Sequence, residues 1–466
     1  MTYPIKGSPK DHQLRALTEA GLKPGHAWWL DPGAGKTYIS IAESSKLFAD
    51  GKVDGVLIIA PNGPHRQWID EQWPLWADVP WRGIHNKSKP TEIKRFMDSR
   101  PAGRLGVAAI NYDSLRTTKG REFVGAFFKA HPRVYLVVDE SQKIKSHEAQ
   151  RTIETLAIAG RSAYRRVLSG TPILKGLENL FTQYEAVQHG ITGPFTRWTA
   201  FRNFYCQTAP IPGARSQFAR QIVGYQNEDL LMQRTRPYAT RITADEFMKG
   251  EVPLYMNVAC PMEDAQAKAY RTMVEFLTSE IDGGRITAQN ALVQLGKLMQ
   301  IASGFLILEG GEEVQWLGDN KVDGAITLIE QMDEPVLCWA PFRALQFRML
   351  DELQKLGIPA VLYHDRDDVE RWKRQGGVMI GNQGSGLGVG QNLQHCAANI
   401  YMSPSFSAEA RWQSVKRTDR IGQTRQVRVW DLLAPGTADV KAVKALMAKE
   451  DISRRNIDGL KDLLAI

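Results

Sequence analysis

Runs of consecutive Val, Ile and Leu recur along the chain, each set off by helical or polar sequence. In the first half they fall at 55–61, 105–113, 134–140 and 166–171. In the second half they fall at 335–341, 359–364, 377–382, 399–403 and 427–433. A strand with one wet face alternates apolar and polar residues. Continuous apolar runs instead predict strands covered on both faces, as in parallel α/β sheets. Between about 175 and 330 the texture turns mostly helical. Tyr270, Met273, Val274 and Leu277 share one helical face, Gly283 and Gly284 break it, and Leu292, Leu295, Leu298 and Met299 resume it. After Pro435 and Gly436 a last helix is expected, with Val440, Val443 and Met447 on one face. The pattern predicts two α/β lobes with helical insertions between them.

The length of 466 residues fits about three domains at roughly 150 residues each. Apolar content of 43% and charged content of 24% exclude a disordered or fibrous chain. No apolar run approaches the ~18 residues a membrane helix needs, and the N-terminus lacks the apolar core of a signal peptide. The cysteines, Cys206, Cys260, Cys338 and Cys396, form no Cys-x-x-Cys pair, so a reducing compartment is expected. A net charge of +8 permits a polyanionic partner and equally fits a solvated surface.

Four segments carry candidate chemistry. The first reads Leu30-Asp-Pro-Gly33-Ala-Gly35-Lys36-Thr37 and leads into an expected helix. Glycines let backbone N–H groups close around phosphates, a lysine neutralises their charge, and a threonine hydroxyl can ligate Mg²⁺. A glycine-rich helix entry with a surface lysine is the bland alternative. The second is the apolar run ending in Asp139 and Glu140. At the C-terminal end of a parallel strand these would face the same crevice, Asp139 toward Mg²⁺ and Glu140 toward the attacking water; a solvated acidic turn is the alternative. Next comes Ser169-Gly-Thr171-Pro, a simple turn or a sensor of the carboxylate pair. The fourth is Gln413-Ser-Val-Lys416-Arg417-Thr-Asp419-Arg420-Ile-Gly-Gln423. In a continuous helix Gln413, Arg417 and Arg420 would share one face, suited to a γ-phosphate or simply to solvent.

In this order the segments resemble motifs I, II, III and VI of superfamily 2 helicases, and the Arg-x-x-Arg-Ile-Gly-Gln ending resembles the Snf2 branch. Further matches are His12-Gln13 to the Q motif, 59–68 to motif Ia, 110–115 to Ib, 336–342 to the place of motif IV and 388–394 to motif V. The resemblance implies an α/β fold of two RecA-like lobes, parallel sheets flanked by helices, with Snf2-type helical insertions. Lobe 1 is expected over 1–245, with an insertion at about 175–245, and lobe 2 over 246–466, with an insertion at about 262–305. It further implies ATP and Mg²⁺ between the lobes. Lys36, Asp139, Glu140, Arg417 and Arg420 would be catalytic. Gln13, Gly33, Gly35, Lys36, Thr37 and Gln413 would bind nucleotide, and Thr37 and Asp139 the metal.

His65, Arg66, Tyr112 and Asn392 are the implied nucleic-acid contacts, with core packing an equal reading for Tyr112. Gln142, Ser169 and Thr171 would couple the two sites. Leu30, Lys175, Lys416 and Asp419 depart from the Snf2 pattern, and 364–377 is compact. The output expected of such a chain is ATP-driven translocation on double-stranded DNA. Strand separation on forked or branched DNA or RNA, and a catalytically silent DNA-binding scaffold, are the competing readings. The implied setting is the cytoplasm of a bacterial or phage-infected cell, as a monomer on double-stranded or branched DNA. A separate nuclease or a replication or repair protein would be the partner, with no membrane.

Overall fold

Successive residues of the central strands enter two different cores. Leu57, Ile59, Leu136 and Val138 pack into one, while Val56, Ile58, Tyr135 and Val137 pack into the other. The period of two therefore needs apolar residues at every position, which is why these strands read as unbroken hydrophobic runs. The computed structural model describes residues 3–99, 101–170, 172, 176–195, 197–210, 220–247, 252–282, 288–308, 313–384, 387–388, 391–405, 407–420 and 422–447. The chain divides into two compact units, Met1–Met248 and Lys249–Ile466.

The first unit holds β1 (Gly25–Leu30), β2 (Gly55–Ala60), β3 (Trp81–His85), β4 (Leu105–Asn111), β5 (Val134–Val138) and β6 (Tyr164–Ser169). An antiparallel hairpin of β7 (Cys206–Pro210) and β8 (Arg220–Tyr225) follows, then β9 (Ala239–Ile242). The main sheet is parallel throughout, in the order β3-β4-β2-β5-β6-β1-β9.

The second unit has β10 (Leu254–Ala259), a small hairpin of β11 (Phe305–Ile307) and β12 (Val314–Trp316), then β13 (Val336–Trp339), β14 (Ala360–Leu362), β15 (Val378–Gly381), β16 (Ala398–Tyr401) and β17 (Arg428–Leu433). Its main sheet is also parallel, in the order β10-β17-β16-β13-β15-β14. The α/β class of two parallel sheets flanked by helices is thus the observed one. No helix among the described residues is long and apolar enough to cross a membrane.

The stretch expected to be mostly helical contains two hairpins and one outer strand of each main sheet. β9 pairs with β1, and β10 pairs with β17. Outer strands have a neighbour on one side, so Ala-Thr-Arg-Ile and Leu-Tyr-Met-Asn-Val-Ala lack the dense apolar signal of central strands. β1 also lies outside the expected runs, although all six residues are buried. Its polar member His26 is held by Thr240 Oγ1 at 3.0 Å, and burial pushes its pKa down to about 3, so the ring is neutral. The C-terminal helix Ala438–Met447 buries Val443 of the expected face together with Ala438, Ala442, Ala445 and Leu446. Ala438, Ala442 and Ala445 pack with Tyr270, Leu277 and Leu298, whereas Met447 is 50% exposed. Small residues admit the two neighbouring helices closely, and a search for large apolar side chains overlooks them.

Candidate nucleotide-binding site

β1 ends at Leu30, and the chain enters the helix Lys36–Ala49 through a five-residue turn. Gly33 and Gly35 have φ of +92° and +88°, which only glycine adopts without strain. A Cβ on Gly35 would also lie 2.2 Å from Gln13 Nε2. Gln13 is buried, donates through Nε2 to the Ala34 carbonyl at 3.2 Å, and accepts from Lys10 N–H at 2.9 Å. The helix Asp11–Ala20 therefore buttresses the glycine turn. Lys36 Nζ donates to the Leu30 carbonyl at 2.7 Å, and Thr37 sits half-buried in the first turn of its helix. Free N–H groups and the helix dipole favour an anion at this point. Leu30 itself is wholly buried, while the adjacent Asp31 pairs with Arg241 at 2.6 Å and accepts from Ala244 N–H at 2.9 Å. The carboxylate at the start of the loop thus ties β1 to the segment following β9.

Asp139 and Glu140 follow β5. Asp139 Oδ2 accepts from Trp68 Nε1 at 3.0 Å, and its Oδ1 from Glu140 N–H at 3.0 Å. Tyr112 Oη donates to the Asp139 carbonyl at 2.6 Å. Glu140 has φ +52° and ψ +55°, a left-handed backbone that costs a non-glycine residue of order 1–3 kcal/mol. Its Oε2 accepts from Gln142 Nε2 at 2.7 Å, and Gln142 Oε1 accepts from Ser169 Oγ at 2.8 Å. A continuous chain therefore joins the end of β6 to Glu140 through the buried Gln142. Thr171, expected to share this role, and Lys175 lie outside the described residues.

Two features of the site went unassigned in the sequence. Trp68 opens a π-helical turn, Trp68–Gln72, and directs its indole N–H at Asp139. The other is a buried brace. Glu43 Oε1 meets Arg166 at 2.5 Å, and Glu43 Oε2 accepts from Tyr135 Oη at 2.7 Å, with both charged side chains fully buried. Glu43 lies on the loop's helix, Tyr135 on β5 and Arg166 on β6, so one network fixes three elements that present Lys36, Asp139 and Ser169. Its only sequence signal is a charged residue amid an apolar face, and that signal does not identify the partner.

The expected nucleic-acid contacts separate by exposure. Arg66 and Asn392 are exposed. His65 is wholly buried, with its pKa pushed down to about 4 by burial, and therefore carries no charge at neutral pH. Tyr112 is buried beside Asp139, which is the core position weighed for it.

In the second unit the helix Ala408–Thr418 carries Gln413, whose Nε2 donates to Glu409 Oε1 at 3.2 Å, and Arg417, whose Nε donates to the Gly388 carbonyl at 3.0 Å. The helix ends two residues before Arg420, too early for a three-residue face. Asp419 leaves helical geometry at φ −80° and ψ 81°, and Arg420 lies on the loop beyond, bonded to Asn392 Oδ1. The two departures Lys416 and Asp419 explain each other, because they form a largely buried ion pair at 2.5 Å. Gln423 pins the following loop by donating to the Cys396 carbonyl at 2.8 Å. A buried pair missed in the sequence, Lys321 and Asp439 at 2.5 Å, joins the helix Asn320–Ile329 to the C-terminal helix.

Burial first, and then the Glu140 charge, raise the Asp139 pKa from 3.8 to about 6, against the opposing pull of Trp68 and Lys36. The folded chain thus binds this proton more tightly than the unfolded chain. The group's favourable contribution is complete below about pH 4 and is lost as pH rises through about 6. A rise from 3.8 to about 6 is at most about 3 kcal/mol. Solvent around a half-buried carboxylate reduces this to about 1–2 kcal/mol. Asp139→Asn should therefore stabilise the metal-free protein by about that amount at pH 8, with the gain shrinking as pH falls from about 6 to about 4. Denaturant midpoints at several pH values check this; a pH-independent gain would contradict it.

A glycine loop at a helix N-terminus, facing carboxylates at the C-terminal ends of parallel strands, defines a P-loop type of nucleotide site. The chain matches the SNF2-related domain over residues 30–304, more than half its length, and belongs to that family. It is 23% identical to the Arabidopsis thaliana protein named "Probable ATP-dependent DNA helicase CHR23", over 92% of this chain and 41% of that one. It is 24% identical to protein p41 of Acyrthosiphon pisum secondary endosymbiont phage 1, over 93% of this chain and 94% of that one. It also aligns with the Sulfolobus solfataricus SWI2/SNF2 ATPase core in complex with dsDNA at 21% identity and a TM-score of 0.43, covering 99% and 96% of the two chains. The chain spans about two-fifths of the length of the first curated relatives it matches.

Proposed function

We propose that this chain is a DNA-dependent ATPase that moves along double-stranded DNA without separating its strands. The observation that carries the reading is the hydrogen-bonded chain from Ser169 through Gln142 to Glu140, set beside the Gly33–Gly35 turn and Lys36. Membership of the SNF2 family and the helicase name of a relative support it. Among the described residues no three His, Cys, Asp or Glu side chains converge as a metal cage. That fits Mg²⁺, which commonly takes one or two protein ligands and completes its shell with phosphate oxygens and water. Thr37 and Asp139 would hold it, and when bound it neutralises phosphate charge.

The chain's own residues do the rest. The turn's N–H groups and Lys36 hold the phosphates. Trp68 and the Glu140 N–H orient the Asp139 carboxylate. Glu140, fixed by Gln142, accepts a proton from the attacking water. A shift of β6 would reach Glu140 through Ser169 and Gln142, and this is the route we assign to coupling. Arg417 and Arg420 would be supplied from the second unit to the γ-phosphate, as closure of the two units on ATP requires. The setting we assign is a bacterial or phage-infected cell, supported by the phage relative matched along nearly its whole length.

The test compares ATP hydrolysis on duplex, single-stranded and forked DNA, together with strand displacement from a labelled fork and displacement of a duplex-bound triplex strand. Triplex displacement without fork unwinding is expected. Fork unwinding would replace this reading with a strand-separating helicase, and no DNA-stimulated hydrolysis would leave a silent scaffold. Glu140→Gln should bind ATP and DNA together and turn over at least about 10²-fold more slowly, the lower range for losing a general base. Stable retention of ATP on duplex is the measurement, and turnover at the native rate would remove Glu140 as the base.

A further inference from the structure

The glycine turn follows the C-terminal end of β1. The start of the same strand packs against the end of the helix Leu180–Val187, where a Cβ on Gly25 would lie 2.2 Å from the Val187 carbonyl oxygen. Beyond that helix end opens a cavity of about 640 Å³, walled by Ile191, Pro194 and Tyr238 and lined also by Gln188, His189 and Arg234. β1 spans six residues, so at roughly 3.3 Å per residue the cavity lies about 20 Å from the turn. Its volume falls in the ~300–1,000 Å³ range of small-molecule sites, which are mostly apolar with a few fixed polar groups.

Arg234, half-buried on the helix Glu228–Thr235, brings a permanent charge to this wall. Its Nη1 donates to the Thr192 carbonyl at 3.2 Å and to Tyr205 Oη at 3.4 Å, and Tyr205 Oη donates to the same carbonyl at 2.7 Å. Both partners are neutral, and no Asp or Glu lines the cavity among the described residues. Glu185, on the helix leading to it, spends one oxygen on His189 at 2.5 Å and the other on the Gly190 N–H at 3.1 Å. Gly193, at φ +137°, makes room for the guanidinium: a Cβ there would lie 2.4 Å from Arg234 Nη1 and 2.5 Å from Phe195 Cε2. The group is thus seated through Nη1 alone among the described residues, which leaves the Nε–Nη2 edge as a fork of two parallel donors. Such a fork matches the two oxygens of a carboxylate. Beside it the half-buried Tyr238 ring, the buried Ile191 and the exposed Pro194 offer apolar surface.

We propose that this cavity binds a small organic carboxylate, with its charge on the Nε–Nη2 edge of Arg234 and its apolar body against Ile191, Pro194 and Tyr238. The site is separate from the glycine turn and does not rest on the ATPase reading. A ligand held there ties the helix Glu228–Thr235 to the segment 188–194, next to the start of β1 and just before β9.

The experiment titrates 4-fluorobenzoate with the full chain and follows the fluorine NMR signal. Saturable binding is expected, displaced by benzoate and not by benzamide, which has the same shape without the charge. Arg234→Gln should weaken it at least about 10-fold, the range for losing a charged hydrogen-bonding partner. Lys36→Ala should leave it unchanged, which separates this cavity from the glycine turn. Because Arg234 also braces Thr192 and Tyr205, Gln188→Glu serves as the second variant. Gln188 is exposed, so the change leaves packing intact while setting a like charge on the wall, and it should weaken binding too. Absence of saturable binding, equal displacement by benzamide, or native affinity in either cavity variant would overturn the proposal. Displacement by a short DNA duplex would overturn it as well, by assigning Arg234 to a nucleic-acid backbone.

Discussion

Lys36→Ala is expected to lower kcat/KM for ATP by at least about 10³ and to weaken nucleotide binding as well. The side chain is already held at the glycine turn where we propose the phosphates bind. Its ammonium donates to the Leu30 carbonyl at 2.7 Å and lies close enough to Asp139 to oppose the rise of that carboxyl's pKa. A nucleotide would exchange this neutral carbonyl for charged phosphate oxygens, a stronger partner in a partly dry site. Removing one preorganised donor typically costs about 10²–10³ in rate, and losing a full charge places the effect at the upper end. Lys36→Arg should not rescue it, because a planar fork does not reproduce a compact ammonium in a turn this tight. A fluorescent nucleotide analogue measures binding, and phosphate release measures turnover. Native values of both in Lys36→Ala would mean that the Gly33–Gly35 turn is only a helix entry.

That site was more legible in the sequence than its supports were. The turn, the acidic pair and the Ser169 segment each carry their chemistry in consecutive residues, and their order along the chain points to one edge of one sheet. The chain's membership of the SNF2 family agrees with that order. Long-range partners leave no such trace. Glu43 and Arg166 stand 123 residues apart, yet form a fully buried pair beneath the loop. Trp68 was visible as the end of a motif, but its bond to Asp139 depends on a π-helical turn that no periodicity announces.

The fold shows the same division. Central strands such as β2 and β5 bury every residue and were legible. β1 was not, because histidine, glycine and tryptophan replace the usual branched residues, and the polar His26 meets Thr240 through Nε2, 214 residues away. The outer strands β9 and β10 were missed because one-sided pairing relaxes the demand for hydrophobicity.

Arg420→Ala should leave ADP and ATP binding within about twofold and reduce turnover by at least about 10³, the range for an arginine that meets charge only in the transition state. A helix through Arg420 would have fixed its guanidinium beside Gln413. Instead the helix stops at Thr418, with Lys416 and Asp419 paired to each other, and Arg420 rides the loop that follows. Its guanidinium rests on Asn392, and Arg417 donates to the Gly388 carbonyl. Burial first, and then the Arg417 charge, lower the Arg420 pKa to about 10, so it stays protonated at neutral pH.

A loop-borne cation with a neutral amide partner can exchange that partner for phosphate, whereas a cation locked in a buried ion pair, such as Arg411 with Asp431, would have to break a charged contact first. This difference is why we propose Arg420 rather than Arg411 for the γ-phosphate. Arg420→Lys should recover little, since a point charge cannot make the paired contacts of a guanidinium. Arg411→Ala should act instead on stability, because it strands a buried carboxylate. Single-turnover hydrolysis with saturating ATP separates the cases. A native rate in Arg420→Ala would return this segment to a solvated basic loop, and leave the γ-phosphate to be met from elsewhere.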